Sequence, residues 1–188
     1  MDPQQLRHDL READDAEMLR RRAIIALSLL GMAALTPVSL LQTGIVRHLP
    51  DPPLPNFKSD ETNLSDAAYH FGVPDGTLAL ASLGANLPLA AWGGRDRARE
   101  RPLVSLLAAG KALADALGAG GYFWRMASGK EPWCPYCITG AIANFSILAL
   151  ALPEAVAALA SLCKPTAATP RATDSTADGL DLEGALVS

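Results

Sequence analysis

Charged residues are missing from three long stretches of this chain: none occurs from Ala23 to Val46, from Gly76 to Gly94 or from Pro132 to Pro153. These runs are 24, 19 and 22 residues long, each close to the ~20 residues that a helix needs to cross a bilayer. The pattern predicts a first spanning helix over about 23–46, kinked at Pro37, and a second over about 76–94, interrupted by Pro88 and ending near Trp92. A third span, about 102–124, is less apolar because it holds Lys111 and Asp115. Its Gly110, Ala114 and Gly118 recur every four residues, a spacing that predicts close helix approach in lipid. The fourth begins at Trp133 or Cys134 and continues to Pro153, with a resumption over 156–162. The fold class expected is an all-α, integral membrane four-helix bundle with a long outer loop between helices 1 and 2.

The remaining segments are polar. Residues 1–22 read as a cytoplasmic tail or short surface helix, 23–162 as the membrane domain, and 163–188, rich in Ala, Thr, Ser, Pro and Asp, as a disordered cytoplasmic tail. A cleaved signal peptide is disfavoured, because its apolar region would be shorter than the first run. Residues 47–75 carry four prolines within six positions, then Lys58, Asp60, Glu61, Asp66 and Asp75, as a loop with room for one short helix. With the N-terminus inside, eleven basic residues fall on the inner side (Arg7 through Arg22, Arg95 through Arg101, Lys164 and Arg171) and four outside (Arg47, Lys58, Arg125 and Lys130). That bias predicts a plasma (inner) membrane protein with both termini cytoplasmic. Composition adds an exclusion: at 49% hydrophobic, 19% charged and a net charge of −4, the chain lacks the basic surplus of a general nucleic-acid binder.

The strongest chemical signal is Cys134-Pro135-Tyr136-Cys137, at the outer end of the fourth span. A Cys-x-x-Cys pair at a helix start places its first sulfur by unpaired backbone N–H groups and the positive end of the helix dipole, which favours the thiolate. Pro135 suits the first helical turn. Cys137, one turn deeper, shares a stripe with Ala141, Asn144 and Leu148. A dithiol with Cys134 exposed and Cys137 facing the bundle can pass electrons from water-borne thiols to a lipid-soluble acceptor, naturally a quinone such as menaquinone or ubiquinone. Zinc would need two further ligands, and His8, His48 and His70 offer no second spaced pair. A structural disulfide over so short a loop contributes little chain entropy. Cys163 has no partner and reads as a passive apolar residue.

The segment Trp133-Cys134-Pro135-Tyr136-Cys137-Ile138-Thr139-Gly140, with the long loop and Phe71-Gly72-Val73-Pro74 ahead of the second span, resembles the vitamin K epoxide reductase family over residues 23–155. The resemblance implies a four-helix membrane bundle whose Cys-x-x-Cys faces a bound quinone, with Cys137 nearer the quinone and Cys134 exchanging with another thiol. Relatives that relay electrons internally carry a second cysteine pair in the loop, followed six residues later by Ser or Thr. Counting back from Phe71 puts Ser59 at the second loop cysteine and Ser65 at the Ser/Thr position, and residues 47–75 hold no cysteine. The expected reductant is therefore a separate extracytoplasmic dithiol protein of thioredoxin-like type.

Candidate quinone contacts are Ser65, Asn86, Ala141 and Asn144. For Ser65 the alternative is a helix N-cap, and for Asn86 an interhelical hydrogen bond. Lys111 and Asp115, at i and i+4, read as a neutralising pair buried against a neighbouring helix, with a proton relay to quinone as the alternative. The function expected is that of a membrane thiol:quinone oxidoreductase supporting disulfide formation. The rival is a catalytically reduced relative that binds a quinone, a lipid or a protein partner. A transporter is a third reading, resting only on the mid-span charges and prolines.

Overall fold

The computed structural model describes residues 2–69 and 72–163. Among them the chain is helical, with one isolated bridge between Phe57 and Trp133. Helix α1 (Pro3–Glu12) is followed by α2 (Ala16–Gln42), the short α3 (Ser59–Asn63), a 3-10 turn (Asp66–Tyr69), α4 (Asp75–Ala91), α5 (Arg97–Glu100), α6 (Pro102–Ala127) and α7 (Pro135–Cys163). The expected tail over 163–188 lies outside the described residues, except for Cys163.

Three helices, α2, α6 and α7, are long and apolar enough to cross a membrane. Helix α4 is as apolar but has 17 residues. Side-chain placement matches a lipid environment: Leu103, Leu107, Leu117, Leu152 and Val156 face outward, whereas Ala109, Ala112, Ala116, Ala151 and Ala158 are buried. Large apolar groups outside and small ones inside suit a solvent as apolar as leucine itself.

Helix boundaries depart from the charge-free runs for local reasons. Asp15 caps α2, its carboxylate accepting the Glu17 and Met18 N–H groups at 3.0 Å each, so the helix starts seven residues before Ala23 and takes in Arg20, Arg21 and Arg22. It closes at Gln42, where Gly44 turns the chain at φ +78° and the Ile45 and Val46 N–H groups return to Leu40. Helix α4 stops at Ala91, and Trp92, Gly93 and Gly94 are unwound. Helix α7 runs unbroken through Pro153, correcting the expected interruption.

Helix α7 packs between α2 and α6, α2 also packs on α4, and α4 and α6 touch little. Leu35, Val38, Leu83 and Ile147 form the centre of the core. Close approach is made by Gly31, against Leu83 and Ala143, and by Gly140, against Leu35. The expected stripe on α6 does something else: a Cβ added at Gly110 or Gly118 would meet nothing within 4 Å. Ala114 and Gly118 instead border an open space between α4, α6 and α7.

Candidate functional site

Cys134 sits just ahead of α7 and caps it with its sulfur, which accepts the Cys137 N–H at 3.2 Å. The two sulfurs are 2.6 Å apart. Asn63, from α3, bridges them: its Nδ2 donates to Cys134 Sγ and its Oδ1 faces Cys137 Sγ, each at 3.3 Å. These contacts draw the Cys134 thiol down to about 6, chiefly through the hydrogen bond with Cys137, against burial and helped by the Asn63 amide, the Cys137 N–H and the nearby Ser59 hydroxyl. The contacts favour Cys134 over Cys137 as the thiolate of the reduced pair.

Cys134 is also sealed. Its exposure is 0%, so the expectation of an exposed first sulfur is corrected. The cover is the segment from His48 to Asn63, latched at several points. Lys58 N–H donates to Trp133 O, Trp133 N–H to Asn56 O, Thr62 Oγ1 to Pro132 O and Tyr136 OH to Pro50 O, at 2.9–3.0 Å. Inside the cover, Asp51 takes the Ser59 N–H at 2.8 Å and the Ser59 hydroxyl at 2.5 Å. Ser59 is fully buried against this network.

Cys137 faces the opposite way, into a cavity of about 290 Å³ between α2, α4, α6 and α7. The walls are mainly apolar, with Leu35, Val38, Leu78, Leu83 and Met126, and polar groups converge at a few points. Of the four candidate contacts, Ala141 and Asn144 line this cavity. Asn144 Oδ1 is buried without a hydrogen-bond partner. Ser65 turns away from it, donating to Thr62 O at 2.9 Å and Glu131 Oε1 at 3.3 Å. Asn86 lies toward the other end of the molecule, in a small space with Arg97, Ser105 and Glu154, its Nδ2 unpartnered.

Lys111 and Asp115 do pair, at 2.5 Å, and Asp115 also accepts the Ser82 hydroxyl of α4 at 2.6 Å. Asp115 and Ser82 both line the cavity. Cys163 is exposed at the far end of α7. Among the described residues no three His, Cys, Asp or Glu side chains gather as metal ligands.

Asp51, Asn63 and Tyr122 were not among the residues singled out from the sequence. The one available signal for Asn63 is its place four residues after Ser59, the loop position that the resemblance marks, which sets both on one face of a helical turn.

A helical membrane protein with a Cys-x-x-Cys pair between a latched loop and an apolar interhelical cavity has the parts of a membrane redox enzyme. The model of the vitamin K epoxide reductase family matches residues 22–152, well over half of the chain, and the chain belongs to that family. No curated protein and no solved structure is significantly similar to it.

Proposed function

We propose that this chain is a thiol:quinone oxidoreductase of the plasma membrane, with four spanning helices, both termini in the cytoplasm and the cysteines on the outer side. It oxidises an extracytoplasmic, thioredoxin-like dithiol protein and passes the electrons to menaquinone or ubiquinone. The observation that carries the reading is the position of Cys137: bonded to the Cys134–Asn63 network on one side and open to the apolar cavity on the other. The cavity's size approaches that of small-ligand pockets, ~300 Å³ and upward. Asn144, on the wall of this mostly apolar cavity, carries a side-chain amide whose N–H groups can donate to a quinone carbonyl.

The chain's own chemistry has two stages. A partner thiolate attacks Cys134 of the Cys134–Cys137 disulfide, and Cys137 leaves and takes a proton. The partner's second thiol then displaces Cys134, which leaves readily because its thiolate is stabilised. The partner departs as a disulfide, and the pair is left as Cys134 thiolate and Cys137 thiol. A bound quinone supplies the sink for the two electrons released when the pair closes again. Asn63 holds both sulfurs in register throughout, and the cover over Cys134 opens for the partner and excludes water afterwards.

Trapping tests the first stage. Cys137→Ala membranes should accumulate a mixed disulfide between Cys134 and a periplasmic or extracellular dithiol protein, lost in the Cys134→Ala, Cys137→Ala double variant. Trapping that persists without Cys134 would contradict the assignment.

A further inference from the structure

The deep end of the cavity carries charge that the thiol chemistry does not use. Cys137 and Asn144 are seven residues apart on α7, as are Asp75 and Ser82 on α4, so Asn144 and Ser82 lie ~10 Å below the outer rim at ~1.5 Å per residue. Asp115 of α6 accepts the Ser82 hydroxyl at 2.6 Å and so lies at about the same depth. A carboxylate at that depth is costly and is held by only two contacts, Lys111 and Ser82. The other titratable groups on the wall belong to the outer half and are engaged there. Asp75 of α4 is held by Gln42 at 2.5 Å, Glu131 of the α6–α7 turn by Arg125 at 2.6 Å, and Tyr122 of α6 donates to Ala67 O at 3.1 Å. Cys137 is the titratable group from α7, and α2 contributes Leu35 and Val38.

Proton accounting gives this pair a task. The reduced site holds two electrons, and it offers protons only at the outer end of the cavity, where Cys137 faces in. Forming a quinol consumes two of each. We propose that Lys111 and Asp115, oriented by Ser82, supply the second proton, delivered by Asp115 to the quinone oxygen that lies away from the cysteines. The proton moves from the Lys111 ammonium to the Asp115 carboxylate along their hydrogen bond, and from Asp115 to the oxygen. Lys111 is left as a neutral amine and regains a proton from water. This inference rests on the quinone-reducing reading above.

The test is single-turnover reduction of 2-methyl-1,4-naphthoquinone by pre-reduced, full-length protein, run in H₂O and D₂O, with reduction of the Cys134–Cys137 disulfide by dithiothreitol measured in parallel. Asp115→Asn should slow quinone reduction by about 100-fold, in the range of lost general acids, and Asp115→Glu should restore most of the rate. The dithiothreitol rate should be unchanged in both, and the solvent isotope effect seen with the wild type should be lost in Asp115→Asn. Quinone reduction by Asp115→Asn at the wild-type rate would overturn the inference and leave the thiol:quinone reading standing, whereas a wild type that reduces no quinone would overturn both. Infrared difference spectra of wild type and Asp115→Glu cover the case in which Asp115→Asn does not fold. A carboxyl band that appears on turnover and shifts in Asp115→Glu is expected, and a carboxyl region identical in the two proteins would contradict the proton transfer.

Discussion

The two ends of the helix assembly both bury polar side chains, and they do it in opposite ways. At the α4–α5 end, Arg21 reaches from α2 and donates to the carbonyls of Ala90, Trp92, Gly93 and Gly94 at 2.7–2.9 Å, satisfying the unwound end of α4. Beside it Arg97 and Glu154 form a two-pronged pair at 2.6 Å, joined by Ser105 at 2.8 Å. Each cation there has a fixed partner. At the cysteine end the polar groups sit on the connection between α2 and α4, centre on two sulfurs, and border a cavity lined by Cys137 and Asn144. The α4–α5 end pairs its buried charges, leaving only the neutral Asn86 Nδ2 without a partner in its small space, and holds the helices together, whereas the cysteine end opens on a cavity with room for a ligand.

Substitutions should separate the two ends. The largest effect expected is on activity: Cys137→Ser should abolish dithiol-dependent quinone reduction, by about 1,000-fold or more, while thermal unfolding in detergent stays near the wild type. Conversely, Arg97→Ala strands the Glu154 charge in the interior and should destabilise the fold by about 3–5 kcal/mol, measured as loss of folded protein on heating. A thermal midpoint unmoved by Arg97→Ala would remove the Arg97–Glu154 pair from its structural role.

Finer effects come from the groups around the sulfurs. Asn63→Ala removes a hydrogen bond to the Cys134 thiolate, worth ~1.5 kcal/mol or more, so turnover should fall about tenfold. The Cys134 titration, followed by thiolate ultraviolet absorbance, should move up from about 6 toward the ordinary thiol range. Asn144→Leu should raise the KM for quinone about fivefold, the ~1 kcal/mol of one neutral hydrogen bond, with kcat little changed.

A further effect is on stability against pH. Cys134 is held below its ordinary value in the folded, reduced protein, so it contributes stability that is complete above the unfolded thiol's ~8.5 and is lost as pH falls toward about 6. The thermal midpoint of reduced protein should therefore rise between pH 6 and 8.5, by more than in Cys134→Ser. Equal slopes in the two proteins would count against a Cys134 thiolate.

How much of this was legible beforehand differs by residue. Helix existence was legible because charge is excluded from lipid, and the Cys-x-x-Cys pair because its spacing is local. Helix ends were not: Arg20, Arg21 and Arg22 look alike in a string, yet Arg21 alone meets four carbonyls from a segment about seventy residues away. The Gly110–Ala114–Gly118 spacing indicated room for close packing but could not say whether a helix or a cavity takes up that room. Cys134 was expected at the surface because its distance from the membrane was readable, whereas the fold of the loop over it was not. That cover depends on backbone bonds between residues 56–58 and Trp133, which leave no mark in composition or periodicity.

A thiol:quinone oxidoreductase must pass electrons from the Cys134–Cys137 dithiol to a quinone. The most direct test of that transfer is anaerobic: fully reduce the purified protein, add menaquinone or ubiquinone, and count free thiols while following quinone absorbance. Two thiols should be lost for each quinone reduced, with the loss abolished in Cys137→Ser. Quinone that stays oxidised beside an intact Cys134–Cys137 dithiol would contradict it.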